Sequence, residues 1–423
     1  MNKKISTLIV AFFVSWVVSA QKTTDSPYSY YGIGELNFGG SVEERAMGGI
    51  GVYADSIRLN MQNPAALAKL QYTAYTAGFS LKSKKIESNT SSERSKASSV
   101  DYGALGFPVL PNLGVAIGLL PYSSVGYQLG TTSTNNGANT YMQSQGTGGV
   151  NQFFLSAGYQ IYKGLSAGAS FRYNFGRIEM NSLQATQSVQ LFTQEYSESL
   201  LRGGAAKLGL YYEEKLNDKL DISSSFTYLP TSKLKSENTR VISTMEYNSN
   251  GVALTRDSQT VDLAAAGMAD TKLTLPSQWS FGVGVGQKQK WFAGVDYTHS
   301  NTEKFTNPFL SATNIAYENG YIVSVGGFFI PQYNSFSSYW KRVVYRAGLR
   351  FEKTGIVLNN ESINDFGISF GASLPVKGFS NATLALEYGK KGTLSQNLVK
   401  ENYLNLRIGF TLNDKWFQRT KYQ

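Results

Sequence analysis

Chemistry at a protein site needs groups that ionise, ligate or attack, held close together. This chain has one histidine, His299, and no cysteine, which removes disulfides, thiol nucleophiles and thiolate metal sites. A metal centre needs several converging ligands, and a catalytic histidine needs a nucleophile beside it. Neither pattern surrounds His299, and no phosphate loop, zinc motif or acid–base pair stands out. The residues therefore read as a non-enzyme with no cofactor and no metal. What remains is a set of charged residues at alternate positions of apolar–polar runs: Arg172, Lys207, Glu213, Asp296, Arg346, Arg350, Glu387 and Arg407. Gathered on one face, they form either a structural ion-pair network or a site for an anionic head group. Arg346 and Arg350 are the ligand-binding candidates, because a guanidinium matches a carboxylate with two parallel hydrogen bonds.

The elements that must position these groups are strands. From Tyr403, the run Tyr-Leu-Asn-Leu-Arg-Ile-Gly-Phe-Thr-Leu places Leu404, Leu406, Ile408, Phe410 and Leu412 on one face and Asn405, Arg407, Gly409 and Thr411 on the other. That period of two belongs to a strand. About fourteen such runs follow Gln71, among them 71–82, 98–107, 113–121, 149–162, 165–179, 200–214, 380–390 and 402–412, each long enough to cross a bilayer when tilted. Connections after even-numbered strands are short, as at Lys163-Gly164, and those after odd-numbered strands are long and polar, the longest near 234–272. Short periplasmic turns, long outer loops and an even strand count describe a bacterial outer-membrane barrel. Tyr72, Tyr75, Trp279, Trp291, Tyr297, Tyr345, Tyr388 and Tyr403 fall near strand ends, where amphipathic rings suit lipid head groups; His299 joins them on the lipid-facing parity. The formal charge of +10 is scattered through strands and loops, so it fits anionic lipid rather than nucleic acid.

Residues 1–20 have the form of a secretory signal peptide, with Lys3 and Lys4 before an apolar core and Val18-Ser19-Ala20 at the cleavage site. Residues 21–70 do not alternate. They are glycine-dotted and end in Asn63-Pro64-Ala65-Ala66-Leu67, which predicts a short helix capped by Asn63 with Pro64 at its first position. Irregular backbone cannot face lipid unpaired, so this segment lies in the periplasm or fills the lumen. The division is signal peptide 1–20, N-terminal hatch 21–70, barrel 71–413 and periplasmic tail 414–423. Glycines of the lumen parity, including Gly168, Gly209, Gly348, Gly371 and Gly409, leave room for the hatch.

The segment Ser41 to Leu81, with Ala46-Met47-Gly48-Gly49, Ala54-Asp55 and Asn63-Pro64-Ala65, resembles the N-terminal hatch of FadL-type long-chain fatty acid transporters. Leu275-Pro276-Ser277-Gln278-Trp279 resembles that family's Leu-Pro strand start. Gly118 to Tyr127, Tyr345 to Gly348, Glu387 to Thr393 and Asn413 to Phe417 are similar to FadL-like barrels of the Bacteroidetes type. The resemblance implies an all-β fold: a fourteen-stranded, monomeric barrel in the outer membrane of a Gram-negative cell, plugged by the hatch. Such barrels take up hydrophobic small molecules, a fatty acid for example, through a lateral opening near a kinked early strand. Pro121 is the candidate for that gate kink, or else strand three stops there. Apolar loop residues such as Leu191, Phe192, Phe309 and Leu310 either line a capture groove or simply pack. FadL-like barrels also serve as non-transporting accessory subunits of secretion or outer-membrane assembly complexes, the type IX secretion system among them. That is the alternative here, with Trp416-Phe417 as a periplasmic contact for the partner protein.

Overall fold

A computed structural model describes residues 24–135, 138–248, 250, 252–310, 314–376 and 380–416; the expected signal peptide and the tail from 417 onward lie outside the described residues. Fourteen antiparallel strands close into a barrel. They are β1 Thr73–Glu87, β2 Ser92–Leu110, β3 Leu113–Asn135, β4 Ala138–Tyr162, β5 Leu165–Thr186, β6 Leu191–Lys215, and β7 in two parts, Asp221–Leu229 and Ser232–Tyr247. The remainder are β8 (Ala253–Thr260, Asp270–Leu275, Gln278–Gln287), β9 Trp291–Ser300, β10 Gly320–Phe329, β11 Val344–Leu358, β12 Glu361–Pro375, β13 Asn381–Gly392 and β14 Lys400–Asp414. Closure is made by β14 against β1, paired from Asp414↔Thr73 to Lys400↔Glu87.

The burial pattern is inverted relative to a soluble fold. Along β14, Glu401, Tyr403, Asn405, Arg407 and Thr411 are buried inside, while Leu404, Leu406, Phe410 and Leu412 are exposed outside. An exposed apolar face repeated around a closed sheet is what hydrocarbon requires, because backbone groups that face lipid must be paired and only lipid meets those side chains. Rings of Trp279, Tyr297, His299, Tyr321 and Phe351 run side by side across β8–β11 at centroid distances of 5.4–6.2 Å. Trp416 folds back against Tyr75 and Phe107 at 5.8 and 5.7 Å.

Several expectations change. Strand three does not stop at Pro121: β3 runs on to Asn135, with a register shift between Pro121 and Ser123 against β4. The bulge lets the ladder continue past a residue that has no N–H to donate. Segments 122–135, 138–148, 180–186, 191–199 and 234–247, read as loops, are strands. In these extensions several buried inward positions are polar, as at Ser197, Ser199, Ser236 and Asn238, so apolar–polar alternation fades although pairing persists. Tyr403, expected at head-group level, lies inside instead, with its hydroxyl donating to Asp365 at 2.7 Å.

Residues 24–70 fold inside the barrel. Ser41 caps a one-turn helix, Val42–Arg45, through a capping box: Ser41 Oγ accepts from Glu44 N–H, and Glu44 Oε2 accepts from Ser41 N–H at 2.6 Å. Pro64–Lys69 is a 3-10 turn whose first N–H groups include Ala65, which donates to Asn63 Oδ1 at 3.0 Å. Both turns abut glycines of the wall. An added Cβ at Gly158, Gly168 or Gly209 would fall 2.2–2.4 Å from Asn63, Pro64 or Ala65, and one at Gly326 or Gly348 would fall 2.1 Å from Met47 or Gly48. Without side chains there, the segment can lie directly on the strands.

Candidate functional site

The site to weigh is the lumen, where strand parity collects the charged residues. Glu387 on β13 is its centre. Arg45 of the N-terminal segment binds it with two hydrogen bonds, Nε at 3.0 Å and Nη2 at 2.6 Å. Arg407 reaches the same carboxylate at 3.4 Å and Asp101 at 3.0 Å. Arg350 pairs with Asp365 at 2.8 Å and with Glu352, and lies 3.7 Å from Glu387. Closer to the outer rim, Glu35 of the N-terminal segment meets Lys84 and Lys391, both at 3.1 Å. Lys84 also binds Glu401 at 3.0 Å, and Glu401 accepts from Ser26 Oγ at 2.5 Å. Thus β1, β13 and β14 are tied to residues 24–45 by charge. Buried ions of this kind require partners, since an uncompensated charge away from water costs several kcal/mol.

A second feature lies in the wall. β2 and β3 pair only from Gly103↔Leu119 to Leu110↔Leu113. Beyond that, residues 92–102 of β2 and 120–135 of β3 have no ladder to each other among the described residues. The N-terminal segment occupies this seam. Glu35–Leu36 form a two-residue strand on Ser123–Ser124. Ser26 N–H donates to Gly126 O at 2.8 Å, and Asn37 N–H to Tyr122 O at 2.9 Å. On the opposite edge, Ser95 Oγ of β2 donates to Asp25 at 2.5 Å. Thr24, Ser26, Tyr28, Ser29 and Ile33 are buried. The seam is therefore filled by residues 24–37, which begin at the β3 bulge.

Beside the packed segment is a cavity of about 390 Å3, lined in part by Tyr122, Gln152, Arg172, Lys207 and Asp296. Lys207 and Arg172 project from neighbouring strands, β6 and β5. Lys207 makes no ion pair or hydrogen bond among the described residues. Arg172 makes one bond, to Gln152 at 3.2 Å, and its Nε is buried without a partner. This corner of the lumen holds excess positive charge.

The whole sequence, residues 1–423, matches the BamG family. The chain belongs to that family. No curated protein matches it. Its fold is shared with solved outer-membrane barrels. The CymD monoaromatic hydrocarbon channel is 16% identical, with 90% of this chain and 99% of that one aligned and a TM-score of 0.58. The Pseudomonas putida toluene transporter TodX is also 16% identical, over 92% and 100%, with a TM-score of 0.57. A Pseudomonas aeruginosa FadL homologue is 10% identical, over 92% and 100%, with a TM-score of 0.55. The chain is thus a FadL-type outer-membrane barrel in architecture, and the structures it resembles are channels and transporters, not enzymes.

Of the residues singled out from sequence, Arg346 and Arg350 are both lumenal and buried. Arg350 is engaged by Asp365 and Glu352, and Arg346 donates to Ser373. Asn63, Pro64 and Ala65 lie on the β4–β6 glycines, and Pro121 lies at the β3 bulge beside the N-terminal segment. Sequence reasoning missed Arg45, Glu35, Lys84, Lys391 and Glu401. Lys84, Lys391 and Glu401 fall one or two positions outside the expected strand limits, so extending those strands in phase finds them. Arg45 and Glu35 sit in irregular backbone, where parity says nothing.

Proposed function

We propose that this protein is a non-transporting accessory barrel of an outer-membrane assembly complex, with residues 24–70 as a fixed hatch that seals it. The observation that carries this reading is the β2–β3 seam, filled by residues 24–37, which make main-chain hydrogen bonds to β3 and a side-chain bond to Ser95 of β2, and locked by the Glu35–Lys84–Glu401 and Arg45–Glu387 ion pairs. Opening it would strip several buried charges of their partners at once, which opposes repeated passage of solute. Membership of the BamG family supports the same reading, as it hints at an assembly complex.

A second reading, passive uptake of a hydrophobic small molecule by a monomeric barrel, is supported by the lumenal cavity and by the shared fold with two monoaromatic hydrocarbon channels. In it the Pro121 bulge is the gate, the Asn63-Pro64-Ala65 turn is the pivot of the hatch, and an anionic head group sits on Arg172 and Lys207. For Arg346 or Arg350 to take that head group, Ser373 or Asp365 must first let go. The barrel's relation to Bacteroidetes-type FadL-like proteins suits either reading.

Native mass spectrometry of the protein, gently released from its own outer membrane, separates them. A stoichiometric complex with another protein and no apolar adduct is expected. A monomer carrying a reproducible apolar adduct distinct from phospholipid and detergent would overturn the accessory reading.

A further inference from the structure

Strand directions put six connections on the periplasmic side. Five of them, 111–112, 163–164, 216–220, 288–290 and 376–380, run for two to five residues. The sixth, between β10 and β11, spans 330–343: Ile-Pro-Gln-Tyr-Asn-Ser-Phe-Ser-Ser-Tyr-Trp-Lys-Arg-Val. It is ordered by its own hydrogen bonds. Gln332 N–H donates to Lys341 O at 2.8 Å, Ser338 N–H to the buried Ser335 Oγ at 3.3 Å, and Arg342 N–H to Tyr339 O at 3.0 Å. Two hydroxyls brace it against the barrel: Tyr345 donates to Trp340 O at 3.2 Å, and Tyr339 to Pro375 O at 3.1 Å. The Arg342 guanidinium lies over the Tyr339 ring at 5.5 Å.

This braced loop spends its apolar residues on solvent. Phe336 at the tip is fully exposed, and Tyr333, Tyr339 and Trp340 are exposed around it. Apolar side chains held outward by a preformed backbone suit a protein partner, because the ordering cost of binding is already met. Aromatic residues with arginine beside them are the composition of interface hot spots. Lipid anchoring needs no such scaffold; Phe329 and Tyr345, exposed on the strands at the same rim, already serve it. The electrostatics name the partner's character. The loop holds Lys341 and Arg342 and no acid; Lys288 and Lys290 stand in the adjacent β8–β9 turn, and Lys163 and Lys219 in turns farther round the same rim, against one carboxylate in those turns, Asp218. Lys288 leans on Glu213 and Asp221 at 3.5 and 3.7 Å, and the others make no ion pair among the described residues.

We infer that loop 330–343 is the docking site for a periplasmic protein that offers a pocket for Phe336 within an acidic surface. The inference rests on the accessory-barrel reading and names the surface that reading would use. The test compares three forms of the full-length protein purified from its own outer membrane: wild type, Phe336→Ala with Trp340→Ala, and Lys341→Glu with Arg342→Glu. Each is checked for heat-modifiable migration, which reports an intact barrel. Both variants are expected to fold and to lose about tenfold or more of the bound partner. Raised salt should weaken the wild-type complex. A Ser337→benzoylphenylalanine photo-crosslinker should capture a peptide rich in Asp and Glu. A wild-type complex that both variants retain, or a crosslink to phospholipid alone, would overturn the loop inference and leave the accessory reading standing. Absence of any complex from the wild type would overturn the accessory reading itself.

Discussion

The N-terminal segment meets two different walls. Against β1 and β11–β14 it is held by Arg45, Glu35 and the side chains that neutralise them. Against β4–β6 the turn is held mainly by shape: Asn63–Leu67 lies on Gly114 of β3 and on Gly158, Gly168 and Gly209, the Asn63 amide reaches Leu210 O at 3.0 Å, and Lys69 meets Glu213 at 3.4 Å. The charged wall fixes register, because a slip of one residue would leave several ions without partners. The glycine wall fixes distance, because a single methyl would collide. Close approach also occurs on the charged side, at Gly348 and Gly371, so the two walls differ in their ion pairs and not in their need for glycine. Arg172 and Lys207 belong to the glycine side, where the segment brings no acid into ion-pair contact with them among the described residues.

The largest effect is expected at the charged wall. Glu387→Gln leaves Arg45, Arg350 and Arg407 around a neutral amide and should cost about 3–5 kcal/mol in urea unfolding. Replacing Arg45 and Glu387 together by Met should cost clearly less than the single change, since both members of one pair leave at once. A double-variant cost equal to the sum of the two single-variant costs would show that the pair is not coupled. A pH dependence follows from the same region. Glu44 in the capping box is pushed up to about 8 by burial, with Glu43 adding to the effect. The folded protein then keeps a proton that the unfolded chain releases above its ordinary value of 4.5, so stability falls as pH rises from there through about 8 and is level beyond. Glu44→Gln keeps the capping geometry and removes this loss. Its advantage should grow across that window to a few kcal/mol, read from unfolding midpoints at pH 5, 7 and 9; a constant difference would refute it.

The barrel was legible because lipid writes an apolar residue at every second position, and because turn lengths alternate with strand parity. Glycines at Gly168, Gly209, Gly348, Gly371 and Gly409 stood on the lumen parity, so the place where a plug would rest could be read too. The outer extensions were not legible. In Ala138–Gln145 neither face is buried, and in Leu191–Ser199 the buried residues include Ser197 and Ser199, so no apolar period marks them as strands. The seam was hidden for another reason. Its closure uses backbone groups of residues 26–37, and any residue type can supply those. Arg45 and Glu35 find partners more than three hundred residues away in Glu387 and Lys391, a match that follows from closing the barrel and from no local pattern.

The glycine wall gives the next effect down. Gly168→Val should leave the barrel closed, because a β-branched residue suits a strand, yet its Cβ would meet Ala65 N and Pro64 C at 2.4 Å. A cost of about 1–3 kcal/mol is expected, together with faster protease cleavage within residues 50–70 and no change in the ion pairs of Arg45. If cleavage instead starts within residues 24–45, the two walls act as one and the contrast between them fails.

The smallest effect separates shape from hydrogen bonding within the glycine wall. Asn63→Ala removes the cap on Ala65 N–H and the bond to Leu210 O, each near the edge of the segment. Loss of the cap alone is worth about 1 kcal/mol, and the bond to Leu210 adds a similar amount only if water cannot replace it. Asn63→Asp restores the cap but cannot donate to Leu210, so it divides the two contributions. If Asp recovers nearly all of the stability in urea titration, the turn is held by its own cap and by contact with the glycines. If it recovers little, the Leu210 bond clasps the turn to a wall otherwise built from close approach and the Lys69–Glu213 pair.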